Sequence, residues 1–216
     1  MSEQSTQVDE RVFQYIEAHT TGEDEFLVQL KSEARKAGLP AIWIAPAQAA
    51  FLQVLLRAVR ARSVVEVGTL AGYSAIAMAR ALPDNGQLVT IELEPAHAEF
   101  AERWITRSDV AGRIRLIRGA ALDVLRTLPD DSADVVFLDA DKQSYPLYLR
   151  EGLRILHRGG LLLADNALAH GELFDPNSTN ASANAMKAFN EVIAKERALQ
   201  SVIVPLGDGL WVGVRR

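Results

Sequence analysis

The chain has 216 residues, of which 49% are hydrophobic and 24% charged, as expected of one globular domain with a full hydrophobic core. Its net charge of −5 argues against a general nucleic-acid-binding protein, because that activity requires a basic surface. The absence of cysteine excludes disulfides, thiolate zinc sites and cysteine nucleophiles, and the polar first residues without a long apolar run predict a cytoplasmic protein with no membrane contact.

The first 45 residues are predicted to form a helical cap of a single domain spanning residues 1–216. Residues 1–7 are polar and are expected to be loosely ordered, whereas apolar periodicity predicts helices over 8–19 and 23–36. Thr20 and Glu23 are spaced like a capping box at the start of the second helix. The cap could cover the active site or pack on another subunit.

From residue 46 onwards, strand and helix patterns alternate. The predicted strands cover residues 64–67, 87–92, 113–118, 134–138, 160–164, 201–206 and 210–214. The predicted helices cover residues 46–61, 75–79, 95–108, 121–127, 145–156 and 181–199. A polar loop over 166–180 separates two of these elements, and the turn 207–209 joins the last two strands as an antiparallel hairpin. The alternation predicts an α/β fold with a mostly parallel sheet, helices on both faces and ligands at the carboxyl ends of the strands.

The segment after the first strand is a glycine turn, in which Gly68 and Gly72 have the spacing G-x-x-x-G. Glycine leaves the backbone open to a ligand, and the helix that follows offers free N–H groups to a carboxylate or phosphate. The second strand ends at Glu92, where α/β nucleoside sites keep the acid that binds ribose hydroxyls. The spacing differs from dinucleotide and P-loop motifs and so favours S-adenosylmethionine (SAM) over a nicotinamide cofactor. The alternative is an ordinary glycine turn, with Glu92 as a solvated strand end.

Polar side chains follow the fourth and fifth strands. Asp139 and Lys142 follow one strand, and Asp165 and Asn166 follow the next. Because neighbouring parallel strands end at the same edge of a sheet, we expect the oxygens of Asp139, Asp165 and Asn166 to converge. Hard oxygen donors suit Mg²⁺, or Mn²⁺ or Ca²⁺, rather than zinc. The alternative is that these residues only cap strand ends and turns.

Five motifs occur in this chain in the order found in one family. They are Val-Glu-Val-Gly-Thr-Leu-Ala-Gly-Tyr-Ser at 65–74, Thr-Ile-Glu at 90–92, Phe-Leu-Asp-Ala-Asp-Lys at 137–142, Asp-Asn at 165–166 and Gly-Asp-Gly at 207–209. From about residue 41 onwards, the chain resembles the cation-dependent, SAM-dependent O-methyltransferases, the group of catechol and caffeoyl-CoA O-methyltransferases. This resemblance implies a Rossmann-like class I methyltransferase fold with strand order 3-2-1-4-5-7-6, strand seven antiparallel, and a homodimer.

The resemblance also implies a role for each matching residue. Glu92 would bind the ribose hydroxyls of SAM, and Asp139, Asp165 and Asn166 would bind the metal. Lys142 would be the catalytic base, acting beside Asp139. The remaining cofactor-binding residues implied by position are Ile44, Glu66, Gly68, Thr69, Ser74, Ala121, Asp139 and Asp141.

The implied reaction is methyl transfer to a hydroxyl of a small aromatic acceptor with two adjacent hydroxyls. Trp43, Trp211 and His170 are candidate substrate contacts, although the tryptophans could equally be core residues and the histidine a solvated loop residue. Catechol O-methyltransferase has an aromatic residue at the position of Asp141 and an acid at that of Trp211. Lys142 could instead be a solvated helix-start residue. Two wider alternatives remain open, a metal-independent methyltransferase with another acceptor and a non-catalytic SAM-binding protein.

Overall fold

A computed structural model describes residues 8–216, so the prediction for residues 1–7 lies outside the described residues. The helices are Glu10–His19 (α1), Glu25–Lys36 (α2), Pro46–Ala58 (α3), Tyr73–Ala79 (α4), Pro95–Arg107 (α5), Ala121–Thr127 (α6), Tyr145–Ile155 (α7) and Ala181–Ile193 (α8). The strands are Ser63–Val67 (β1), Gln87–Glu92 (β2), Ile114–Arg118 (β3), Ala133–Leu138 (β4), Leu156–Ala164 (β5), Leu199–Val204 (β6) and Leu210–Arg215 (β7).

The strands form one seven-stranded sheet in the order β3-β2-β1-β4-β5-β7-β6, which confirms the implied topology. The pairs from β3 to β5 are parallel, and β7 runs antiparallel to both β5 and β6. The register pairs Val67 with Leu138, and Leu138 with Ala164. The residues that follow these three strands therefore lie side by side at the carboxyl edge of the sheet.

Two hydrophobic clusters cover the two faces of the sheet. Leu30 of α2, Leu52 of α3 and Ile76 of α4 pack with the strand residue Phe137 on one face. Leu149 of α7 and Phe189 of α8 pack on the other face. Helices therefore lie on both faces, as predicted. Helix α2 contributes the fully buried Leu30 to the first of these clusters. The boundary of the N-terminal cap at residue 45 stays a prediction.

Two of the predicted helix ends are wrong. The capping box of Thr20 and Glu23 does not form, because Asp24 caps α2 by accepting a hydrogen bond from the Leu27 N–H at 3.0 Å. Thr20 instead ends α1, and its hydroxyl donates to the Ile16 carbonyl. Helix α8 stops at Ile193, six residues before its predicted end, because the chain must turn before Leu199 begins β6.

No helix among residues 8–216 is long and apolar enough to cross a membrane.

At the amino ends of the strands, His157 lies between two oxygen acceptors. Its Nε2 is 2.7 Å from Asp134 Oδ1, and its Nδ1 is 2.7 Å from the Arg158 carbonyl. Neutral imidazole has only one N–H, so two acceptors favour the protonated ring. The Arg158 carbonyl and Asp134 accordingly raise the pKa of His157. Burial opposes ionisation of Asp134, but the Arg62 and Ser63 N–H groups and His157 outweigh it and lower the pKa of this carboxyl.

We expect His157→Gln to destabilise the protein more at about pH 5.5 than at about pH 8.5. A raised folded pKa gives stability that is complete below the unfolded pKa of His157 and is lost as the pH rises through the folded value. The decrease in the free energy of unfolding should stay below about 1 kcal/mol because the ring is partly exposed. Urea unfolding at both pH values measures it, with His19→Gln on exposed α1 as the control. Equal losses at both pH values would contradict the ion pair.

Candidate active site

At Gly68 the turn after β1 contacts the end of β4. Its φ angle is +96°, a conformation that favours glycine, and a Cβ atom there would collide with the Asp139 carbonyl oxygen. The Gly68 N–H donates to the Ile91 carbonyl at 3.0 Å, and the Asp139 N–H donates to the Val67 carbonyl at 2.8 Å. The glycine turn is therefore held directly against the acidic strand end.

Glu92 holds the same turn from the side of β2. Its Oε2 accepts hydrogen bonds from the N–H groups of Thr69 at 3.1 Å and Leu70 at 2.8 Å. Its Oε1 accepts from the Glu94 N–H at 2.9 Å. Leu70 has a φ angle of +50°, which is uncommon for a residue with a branched side chain. Glu92 thus fixes a strained loop and keeps its carboxylate at the carboxyl edge of the sheet.

A cavity opens between this turn and the segment before α3. Its walls bring together many residues that are distant in sequence. The lining residues are Ile42, Trp43, Ile44, Gly68, Thr69, Leu70, Ala71, Tyr73, Ser74 and Asp139. Five of the predicted cofactor-binding residues therefore share one crevice.

Glu66 lies beneath the crevice and is fully buried. Its Oε1 accepts a hydrogen bond from the Ser74 hydroxyl at 2.5 Å, and its Oε2 has no hydrogen-bond partner among the described residues. Burial raises the pKa of Glu66 to about 8, although the hydrogen bond from Ser74 opposes the shift. A buried acceptor without a donor costs about 1–3 kcal/mol, so the site suits a ligand that brings an N–H or a positive charge.

Asp139 and Asp165 place two carboxylates at neighbouring strand ends. Burial and, to a smaller extent, the nearby charge of Asp139 together raise the pKa of Asp165 to about 7. Burial also raises the pKa of Asp139, against the opposing effect of Lys142. The Gln48 amide donates to Asp165 Oδ1 at 2.5 Å. This pair is an electrostatically strained acidic site that a cation would stabilise.

Asn166 follows directly, with a left-handed φ angle of +63° that asparagine tolerates better than most residues. Its Nδ2 donates to Asp208 Oδ2 at 2.9 Å. Among residues 8–216, no cluster of three or more His, Cys, Asp or Glu side chains is arranged to hold a metal ion. A cation site here would therefore combine two carboxylates with one amide oxygen.

Lys142 lies in the turn after β4, and its side chain points towards Asp139 at the same edge of the sheet. Its Nζ is 3.2 Å from Asp139 Oδ1 and donates to the Tyr145 hydroxyl at 2.7 Å. Tyr145 is fully buried and donates its own proton to the Leu138 carbonyl at 3.0 Å. Lys142 is thus fixed beside Asp139 rather than extended into solvent.

Comparison with known proteins identifies the family. The family model described as O-methyltransferase matches residues 17–216. The chain belongs to the O-methyltransferase family. It is 37% identical over 205 residues to a catechol O-methyltransferase of Niastella koreensis, which covers 94% of this chain and 93% of that protein.

Solved structures of O-methyltransferases have the same fold. The enzyme from Bacillus cereus, solved in complex with SAH, has a TM-score of 0.85 and 32% identity over 95% of this chain and 97% of that one. An O-methyltransferase of Streptomyces achromogenes involved in tomaymycin synthesis, solved in complex with SAM, has a TM-score of 0.82 and 31% identity over 95% and 96%. These likenesses cover nearly the whole methyltransferase chain.

Besides Glu66 and Glu92, two more of the predicted cofactor residues of this methyltransferase are absent from the cavity walls described above. Ala121 begins α6, two residues after Gly119, whose N–H donates to the Glu92 carbonyl at 2.8 Å. Asp141 caps the next turn by accepting from the Ser144 N–H at 3.2 Å and from the Tyr148 hydroxyl at 2.5 Å. Their roles toward a cofactor stay predictions.

The three candidate substrate residues lie in different surroundings. Trp43 packs against the cluster of α2 to α5, with the Arg35 guanidinium 4.8 Å from its ring. Trp211 is 7% exposed in the opposite cluster and donates to Asn190 Oδ1 at 2.7 Å. His170 is 83% exposed, and its backbone N–H donates to Asp208. Trp43 also lines the crevice beside Gly68, and the contact of each of the three residues with a substrate stays a prediction.

Sequence reasoning missed four residues at this edge. Gln48 and Tyr145 are buried polar side chains that contact Asp165 and Lys142, respectively. For Gln48 the one available signal is a single polar residue within an apolar stretch. The sequence places Asp208 in a hairpin turn but does not indicate its contact with Asn166. Leu93 is a large apolar residue that is 71% exposed directly after Glu92, and exposure cannot be read from sequence.

We expect Gly68→Ala to destabilise the methyltransferase by at least about 1–3 kcal/mol, because the new methyl group meets the Asp139 carbonyl at a left-handed backbone position. Urea unfolding measures the loss. Gly112→Ala is the matched control, since nothing lies within 4 Å of a Cβ atom there. Equal effects of the two substitutions would show that the contact at Gly68 is not close.

We expect Glu66→Gln to stabilise the free protein while weakening its affinity for SAM. Because the folded pKa of Glu66 is about 8 and its ordinary value is 4.5, ionisation opposes folding increasingly as the pH rises between these values. The stability gained by the substitution should therefore grow over that range, by up to about 1.4 kcal/mol per pH unit. Urea unfolding at several pH values and calorimetric titration of SAM measure the two effects. A pH-independent stability difference would contradict the assigned cost of burying this carboxyl.

Proposed function

We propose that this methyltransferase uses SAM to methylate one hydroxyl of a catechol-like aromatic with two adjacent hydroxyls, assisted by a divalent cation. The observation that carries the proposal is the convergence of the glycine turn, the Asp139–Asp165 pair and Lys142 on one edge of the sheet. The SAM and SAH named for the two solved relatives support the cofactor, and the name of the Niastella koreensis relative supports the acceptor.

The crevice beside Gly68 has the chemistry of a SAM site. Glu92 offers carboxylate oxygens at the edge where ribose hydroxyls bind in α/β nucleoside sites. The unpartnered Glu66 Oε2 would accept a hydrogen bond from the charged methionine end of SAM. SAM supplies the methyl group as a reactive sulfonium.

Asp139, Asp165 and Asn166 would hold Mg²⁺, or Mn²⁺ or Ca²⁺. All three offer hard oxygen atoms, and their residue types exclude a site built from thiolate or imidazole. Burial and the neighbouring charge of Asp139 both disfavour the ionised form of Asp165, so a cation bound there would stabilise that form. A divalent cation bound there would favour the ionised form of an acceptor phenol, whose pKa is ordinarily about 10.

Lys142 is the proposed general base. Its Nζ is fixed by Asp139 and by the Tyr145 hydroxyl, so its neutral form could take a proton from an acceptor bound at the same edge. Gly68 and Asp139 are in backbone contact, which would keep donor and acceptor groups close enough for in-line transfer. The homodimer and the N-terminal cap as a cover of the acceptor stay proposals that sedimentation and truncation would test.

Asn166→Gly tests the cation site without straining the backbone, because glycine keeps the left-handed conformation that alanine would not. We expect Mg²⁺-supported methylation across a catechol panel to fall by at least about 10–100-fold, with SAM affinity unchanged. Asn177→Gly is the matched control, since that residue lies exposed in the same loop.

Removal of cations by EDTA should abolish wild-type methylation, and Mg²⁺ should restore it. Full activity in EDTA would instead favour a metal-independent methyltransferase. Tight SAM binding without methylation of any catechol in the panel, with or without Mg²⁺, would overturn the proposed acceptor class.

A further inference from the structure

We propose that Asp208, in the turn between β6 and β7, is a positioning residue that sets the Asn166 amide with its oxygen towards the cation site. The inference rests on the proposed function, because it concerns how one of the proposed ligands is oriented. Asp208 would not touch the cation, the cofactor or the acceptor, and it would act through Asn166.

The hydrogen-bond chemistry of a carboxylate decides the orientation of Asn166. An ionised carboxylate only accepts hydrogen bonds, so it can be faced by the amide nitrogen of asparagine but not by the amide oxygen. Asp208 Oδ2 accepts from Asn166 Nδ2 at 2.9 Å. The Asn166 Oδ1 is thereby turned away from Asp208 and left available as a ligand.

Both oxygens of Asp208 are used, and its side chain is only 9% exposed. The second oxygen, Oδ1, accepts from the His170 backbone N–H at 2.6 Å. His170 and Ala169 have left-handed φ angles of +52° and +46°. Asp208 therefore orders both the proposed ligand and the strained loop that follows it.

The turn that carries Asp208 has little freedom to move. The Leu168 N–H donates to the Asp208 carbonyl at 2.9 Å, and the Ala167 N–H donates to the Gly209 carbonyl at 2.8 Å. A Cβ atom on Gly209 would lie 2.6 Å from the Leu168 side chain, and one on Gly207 would collide with Gln48. Gln48 also donates to Asp165, so the turn contacts both Asn166 and the hydrogen-bond partner of Asp165, the two proposed ligands that follow β5.

The conformation of Asn166 does not by itself require this contact. A left-handed φ angle explains why asparagine is tolerated at this position, but it leaves the direction of the side-chain amide open. The contact with Asp208 removes that freedom before a cation binds. Outer hydrogen-bond partners of this kind typically change metal affinity about 10–100-fold.

Asp208→Asn tests the orientation with almost no change of shape. The new amide has one acceptor oxygen, which the His170 N–H would keep, so its NH₂ group would face Asn166. Asn166 would then turn its own oxygen towards residue 208 and away from Asp139 and Asp165. We expect affinity for Mn²⁺, titrated by electron paramagnetic resonance, to fall about 10–100-fold while SAM affinity by calorimetry stays unchanged.

Asp84→Asn is the matched control, because it removes the same charge from a fully exposed side chain near the start of β2. Mn²⁺ affinity equal to wild type in Asp208→Asn would overturn the inference. A parallel loss of SAM affinity and thermal stability would overturn it too, since it would show a general structural role. If Asp208→Asn does not fold, Asp208→Ser removes the carboxylate from Asn166 and should give the same selective loss of Mn²⁺ binding.

The failure of this inference can be distinguished from failure of the proposed function. If wild-type protein binds SAM but no Mn²⁺, the cation site itself is wrong and the inference falls with it. If wild type binds Mn²⁺ and Asn166→Gly does not, the cation site stands, and the Asp208 variants alone decide the orienting role.

Discussion

The backbone contact between Gly68 and Asp139 is the constraint on which the site depends. The absence of a side chain at Gly68 allows the turn after β1 to lie directly on the Asp139 carbonyl at the end of β4. A parallel sheet aligns strand ends, but it does not by itself bring a loop and a carboxylate into contact. Here the absence of a Cβ atom at Gly68 brings the crevice close to the acidic strand ends. Such proximity of reacting groups contributes strongly to reaction rate.

The same edge of the sheet concentrates buried carboxyl groups at the expense of stability. Glu66 and Asp165 have raised pKa values because burial disfavours their ionised forms, and one oxygen of Glu66 lacks a donor among the described residues. A chain selected only for stability would replace such groups with apolar or fully paired ones. Their presence in a well-packed core is the electrostatic reason to regard this edge as functional rather than structural.

The sequence was sufficient for much of the fold because strand and helix periodicities alternate clearly. The bounds of β2 and α6 match their prediction, and strand order followed from the family resemblance. Local signals failed where two residues competed for one role, as when Asp24 rather than Thr20 capped α2. Packing partners such as Gln48 and Tyr145 could not be predicted, because their contacts join residues far apart in the chain or depend on how deeply a side chain is buried.

Because β7 lies between β5 and β6, the two halves of the candidate site depend on strands that are synthesised at different times. The crevice beside Gly68 depends on β1, β2, β4 and α4, all of which precede β5 in the chain. Until β7 inserts, β5 is an unpaired edge on one side, and the residues at its tip have no turn to pack against. During vectorial synthesis the strands beside Gly68 therefore emerge first, whereas the residues after β5 pack against the turn 207–209 only when the final hairpin closes the sheet.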